Sequence, residues 1–164
     1  MPEAPLPEAV LPEAPLPEAP RTTRYRVLRG AWGMCIDLTA SGTTSADPPA
    51  RGERIADGVW LDTTPVRTHP PTDRRGCRLH AEEADWLRHG LRLAAPALAS
   101  RAPAGHTLVT VHRVLFPEAD FQPEALAAAV LRWTEEEYAL PPHATTVTFD
   151  RSANRYTYEW PAGA

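Results

Sequence analysis

Lysine is absent from the 164-residue chain, asparagine occurs once, at Asn154, and cysteine only at Cys35 and Cys77. Two cysteines are too few for a disulfide scaffold and fit reduced thiols, which points to a cytoplasmic protein. No stretch approaches the roughly 20 apolar residues that a membrane helix needs. The N-terminus has no basic segment followed by an unbroken apolar run, so no signal or transit peptide is expected and the protein should be soluble. With lysine missing, all 17 cationic side chains are arginine. Together with abundant alanine and proline, this reads as the coding bias of a GC-rich bacterium. Arginine is then the default cation, and a surface arginine is not by itself a phosphate clamp.

The net charge of -4 has a local origin. Of the 21 acidic residues, Glu3, Glu8, Glu13 and Glu18 precede the first arginine, Arg21, and the 17 that remain equal the 17 arginines. A balanced body lacks the broad positive field that non-specific binding to nucleic acid or an anionic membrane requires, although a local arginine patch is compatible with it. The four glutamates also mark a repeat. Residues 2–20 run through Pro-Glu-Ala-(Pro or Val)-Leu with seven prolines. Proline removes backbone donors and disfavours helix, which predicts a disordered, polyproline-II-like leader over residues 1–22 that joins no core. Its functional reading is a spacer or docking peptide, though Pro5-Leu6-Pro7 and Pro15-Leu16-Pro17 lack the arginine that often flanks proline-rich ligands. Residues 23–164 suffice for one domain whose core needs no disulfide or metal staple.

Beyond the leader the pattern predicts strands and helices in the order β-β-α-β-α-β-β. Tyr25 to Thr39 carries β-formers bent by Gly30 and Gly33, and Ile55 to Leu61 is a second strand weakened at Gly58. Loops over 41–53 and 63–76 are long enough to be functional. A helix over 81–99 shows one apolar face through Leu87, Leu91 and Leu98, with acids in its first turn and Pro96 expected to kink or shorten it. Leu108 to Phe116 is apolar on both faces, as in an interior strand. A second helix, from Pro123 to about Ala139, presents Leu126, Val130 and Trp133. Thr145 to Phe149 and Arg155 to Trp160 then alternate as a hairpin. The fold class is α+β, a mixed sheet with both helices packed on one face.

Gly30-Ala31-Trp32-Gly33-Met34-Cys35-Ile36-Asp37 resembles the Gly-x-aromatic-Gly-x-x-Ile-Asp strand in domain IV of bacterial elongation factor G. The Glu82 to Ser100 helix, Pro103-Ala104-Gly105-His106, the Val109 to Leu115 strand and the Glu124 to Trp133 helix recur in that domain's order. The resemblance implies a ribosomal-protein-S5-domain-2-like fold more than an activity. In the family, the loop after the third strand belongs to the tip that reaches the decoding centre. The matching Pro117-Glu118-Ala119-Asp120 is acidic and unsuited to RNA, and the sequence contains no GTPase domain, so translocation is not implied.

Candidate chemistry is sparse. Cys77-Arg78-Leu79-His80 has a Cys-x-x-His spacing without a matching second pair, so no metal is expected. Cys35, His112 and Asp37 can be drawn as a nucleophile, base and orienting acid, with a structural cysteine as the plainer alternative. Glu135-Glu136-Glu137 reads as the solvated end of a helix. Trp60 and Trp133, with Trp86, Tyr158 and Trp160, are core residues or cavity lining. No phosphate-cradling glycine loop is present and no cofactor is called for. Cys35, Asp37, Trp60, His112 and Trp133 are therefore candidates for a pocket or surface, with no catalytic residue assigned. The leading expectation is a non-enzymatic binding or accessory module acting through another protein, with RNA a lesser option. The alternative is a small enzyme or small-molecule-binding protein with its pocket between the sheet and the 41–53 and 63–76 loops.

Overall fold

The computed structural model describes residues 19–162, so residues 1–18 of the predicted leader lie outside the described residues, while Arg21 and Thr22, assigned to that leader, are instead strand residues paired with Ala40 and Thr39. Its elements are β1 (Arg21–Leu28), β2 (Gly33–Ser45), β3 (Glu53–Ala56), β4 (Val59–Asp62), α1 (Thr64–Arg67), α2 (Ala81–Arg101), β5 (His106–Leu115), α3 (Glu124–Tyr138), β6 (Thr146–Asp150) and β7 (Arg155–Glu159). The fold is α+β. One five-stranded sheet has the order β1-β2-β5-β4-β3, and β6-β7 forms a separate pair. The main sheet is mixed: β4 and β5 are parallel, as a helical crossover between them demands, and the other neighbours are antiparallel. The helix α3 packs on β1 and β2, α2 on β3 and β4, and the helices pack on each other.

Two stretches that read as single strands are hairpins. Gly30 and Gly33 do not merely bend a strand; the chain reverses between Leu28 and Gly33, which face each other at the closed end of β1 and β2. Gly58 takes φ +70° in the turn between β3 and β4, a left-handed conformation that glycine adopts without a Cβ penalty. The β2 strand runs on to Ser45, through the start of the expected 41–53 loop, because Thr43 and Thr44 pair with Leu108 and Thr107. The other expected loop contains α1, with Pro65 in its first turn. Pro96 does not end α2, which continues to Arg101.

Strand alternation divides the sheet. Met34, Ile36, Leu38 and Ala40 of β2 face the helices and are buried, with Val59 and Leu61 of β4 and Val109, Val111 and Val114 of β5 beside them. On α3, burial extends over Ala125 to Leu131 and includes Trp133 and Thr134. Alanine makes this possible by letting neighbours approach the backbone. At Gly90 of α2 a Cβ would collide with the Ala127 carbonyl of α3, so the two helices meet where one has no side chain. Trp133 is fully buried beneath β1 and β2, and its indole Nε1–H donates to the Arg21 carbonyl at 3.1 Å.

The terminal hairpin is anchored by Tyr156, which is 1 % exposed. Its hydroxyl accepts from the Arg29 N–H at 3.0 Å and donates to the Trp32 carbonyl at 2.7 Å, and its ring meets Trp32 and Phe149 edge-on. Farther along β7 the Tyr158 hydroxyl lies 3.0 Å from that of Tyr25, and burial pushes both phenols above their ordinary range.

Candidate functional site

Opposite the helices, one face of β1, β2 and the end of β5 carries side chains that are exposed or half-buried, whereas Leu108 and Thr110, on the same face nearer the start of β5, are buried. Register places Arg24 beside Asp37 and Leu115, Arg26 beside Cys35, and Thr22 beside Thr39 and Arg113. The Thr22 and Thr39 hydroxyls are 2.7 Å apart, and the Arg26 guanidinium grips Asp37 at 2.8 Å. Leu28, at the end of β1, is 77 % exposed and is the large apolar side chain most clearly left in solvent among the described residues. The face is thus an arginine-bearing, hydroxyl-rich surface with apolar positions at Leu28 and Leu115.

The bulge in the β2–β5 ladder lies on this face. Thr39 pairs with Arg113 and Ala40 with Val111, so His112 is the extra residue. Its Nε2 lies 2.6 Å from Ser41 Oγ. Cys35 is four residues from Thr39, roughly 13 Å along the strand. The ring of His112 therefore meets Ser41 while Asp37 is held by Arg26, and Cys35, His112 and Asp37 do not form a bonded trio. Trp60 is on β4, where its indole N–H points to His106 Nδ1 at 3.3 Å. Trp133 is in the core. The five candidate residues thus divide among the open sheet face, the β4–β5 end and the interior.

Cys77 is buried, with its thiol against the Phe116 carbonyl at 3.8 Å, and burial pushes its pKa up, the reverse of what a thiolate ligand or nucleophile needs. His80 precedes α2, where its backbone N–H donates to Glu83 Oε2 at 2.7 Å. Among the described residues no group of three or more His, Cys, Asp or Glu side chains is placed to hold a metal ion.

A second region lies where α3 meets the chain that follows it. The helix stops with Ala139 at φ 49°, the Leu140 N–H returns to the Glu135 carbonyl at 2.9 Å, and Pro141-Pro142 turn the chain away. This return brings His143 beside Glu135, whose Oε1 accepts the His143 backbone N–H at 2.6 Å. Two neighbouring grooves, of about 430 and 470 Å³, share Leu131, Glu135, Leu140, Pro142 and His143. Burial is the main cause raising the Glu135 carboxyl above its ordinary range, opposed by the His143 N–H bond. The acidic run is not simply solvated. Glu136 binds Arg21, Arg132 and the Thr23 hydroxyl, and Glu137 binds Arg21. Neither Ser41, placed in a loop by its neighbours, nor His143, isolated after two prolines, stands out in the sequence as a site residue.

Compared with known protein families, with curated proteins and with solved structures, the chain matches none of them. Among the described residues no helix is long and apolar enough to cross a membrane.

Proposed function

We propose that this domain is a non-enzymatic binding module that holds a partner protein against the uncovered face of β1, β2 and β5. The observation that carries this reading is the contrast between the two faces of the sheet. One is sealed by helices around a fully buried Trp133, while the other presents Arg24, Arg26 and Arg113 against Asp37. Three guanidiniums to one carboxylate favour a partner with an acidic surface, and Leu28 and Leu115 supply apolar contacts near the charges. The resemblance to an elongation-factor recognition domain supports the same class of function, and the free thiols of Cys35 and Cys77 agree with a reducing cytoplasm. The test is capture of partners by the full chain and by Arg24→Glu/Arg113→Glu. A discrete acidic partner kept by the first and lost by the second supports the reading, whereas identical captures refute it.

A second reading, a small hydrolytic enzyme, is favoured by the 2.6 Å contact between Ser41 Oγ and His112 Nε2, since an imidazole so placed could take the serine proton. The two grooves beside α3 are not lined by residues of the 41–53 or 63–76 segments. A fluorophosphonate that labels the wild type but not Ser41→Ala would favour this reading over the first.

A further inference from the structure

The grooves beside α3 are independent of the sheet face and differ from it in kind, being concave and apolar-walled with polar groups converging on their shared wall. We propose that they form a site for a small apolar amine, whose ammonium group pairs with the Glu135 carboxylate and whose hydrocarbon body lies against Leu131, Leu140 and Pro142.

The lobes, about 430 and 470 Å³, fall within the roughly 300 to 1,000 Å³ of small-molecule sites. Leu93, Ala97 and Pro161 extend one lobe and Tyr25 and Val147 the other. The charges decide the ligand's sign. Glu136 is already committed to Arg21 and Arg132, and the Arg132 guanidinium lies 3.3 Å from it. Glu135 has only the His143 N–H on one oxygen. His143 adds a second acceptor: its Nδ1 pairs with Thr145 Oγ1 at 2.7 Å, and its buried Nε2 has no hydrogen-bond partner. In the tautomer that donates from Nδ1, Nε2 carries a lone pair, so carboxylate and imidazole together offer acceptors to a group rich in N–H.

An anionic ligand would meet Glu135 and Glu136 on the same wall. A neutral apolar ligand would bury the Glu135 carboxylate without compensation. An ammonium answers both problems, and ion pairing would draw the Glu135 carboxyl back toward its ionised form. The groups that face Glu135 are His143, Arg132 and Glu136, while Arg101 of α2 binds the nearby Ala139 carbonyl. Acidification that protonates Glu135 removes the attraction, so affinity for the amine should fall as the pH is lowered.

The experiment is calorimetric titration of the full chain with 2-phenylethylamine, 2-phenylethanol and 3-phenylpropionate, with amide chemical shifts locating each probe. The expected result is that the amine binds at least about tenfold more tightly than either control, a free-energy difference of about 1.4 kcal/mol, and shifts residues 93–100 and 131–147. Glu135→Gln, which keeps an acceptor for the His143 N–H, should remain folded and lose that preference. Ala97→Phe, which fills one lobe without changing charge, should weaken the amine. Equal binding of amine and alcohol, a preference that survives Glu135→Gln, shifts confined to other residues, or no binding at millimolar amine would each overturn the proposal.

Discussion

Gln122 holds the backbone of Tyr156 with both ends of its side-chain amide: Oε1 accepts the Tyr156 N–H at 2.5 Å, and Nε2 donates to the Tyr156 carbonyl at 3.0 Å. Both residues are buried, so the pair acts as one rung of a sheet and fixes the terminal hairpin to the start of α3. Gln122→Leu would strand a buried N–H and C=O, at a cost of about 1–3 kcal/mol for each unsatisfied group. The expected outcome is faster amide exchange through β6 and β7 with β2 and β5 still protected. Unchanged exchange in the hairpin would refute the clamp.

Trp133→Ala removes a fully buried ring and its bond to the Arg21 carbonyl. The loss should be about 3–5 kcal/mol, a large share of a domain's stability. Thermal melting followed by circular dichroism measures it, and a mutant within about 1 kcal/mol of wild type would contradict the placement of α3 on the sheet.

Gly90→Ala places a methyl group against the Ala127 carbonyl, where no flexible side chain can move aside. Helix propensity alone would make the change stabilising by roughly 0.8–1 kcal/mol. The close approach should reverse that sign, with overpacking of about 1–3 kcal/mol, so a raised melting temperature would show that the helices do not meet there.

Two groups give stability opposite pH dependence. Burial, then Arg92 and His143, lower the pKa of His89, so its contribution is present above the unfolded value near 6.5 and is lost as pH falls through the lower folded value. Burial raises the Glu135 carboxyl above 4.5, so its contribution is present below that pH and lost as pH rises through the folded value. Glu135→Gln should therefore stabilise the protein near neutrality, with the gain shrinking in acid. Denaturant melts at pH 4.5 and 7.5 test the sign, and a gain that grows in acid would contradict it.

The class of fold was legible because it depends on periodicity. Leu87, Leu91 and Leu98 mark a helix face and Met34, Ile36 and Leu38 a strand face whatever the rest of the chain does. The hairpins at residues 29–32 and 57–58 were hidden because a glycine inside a β-rich run suits a bulge, a bend or a turn equally well, and only pairing partners distant in sequence decide among them. The site residues were less legible for a similar reason. Ser41 meets His112 across 71 positions, a contact that depends on the strand order β2-β5 and on a bulge that no local pattern announces. His143 reaches Glu135 only because the chain folds back after α3.

The central claim, that the uncovered face of β1, β2 and β5 receives an acidic partner protein, is tested most directly by photocrosslinking from that face. A photoreactive residue at Thr39 in the full chain, exposed to lysate of the native cell, should give one discrete adduct with an acidic protein. Its yield should collapse when Arg24 and Arg113 are both changed to glutamate, and the same label at exposed Thr148 of β6 should give none. No discrete adduct at Thr39, or one whose yield ignores the charge reversals, would contradict the claim.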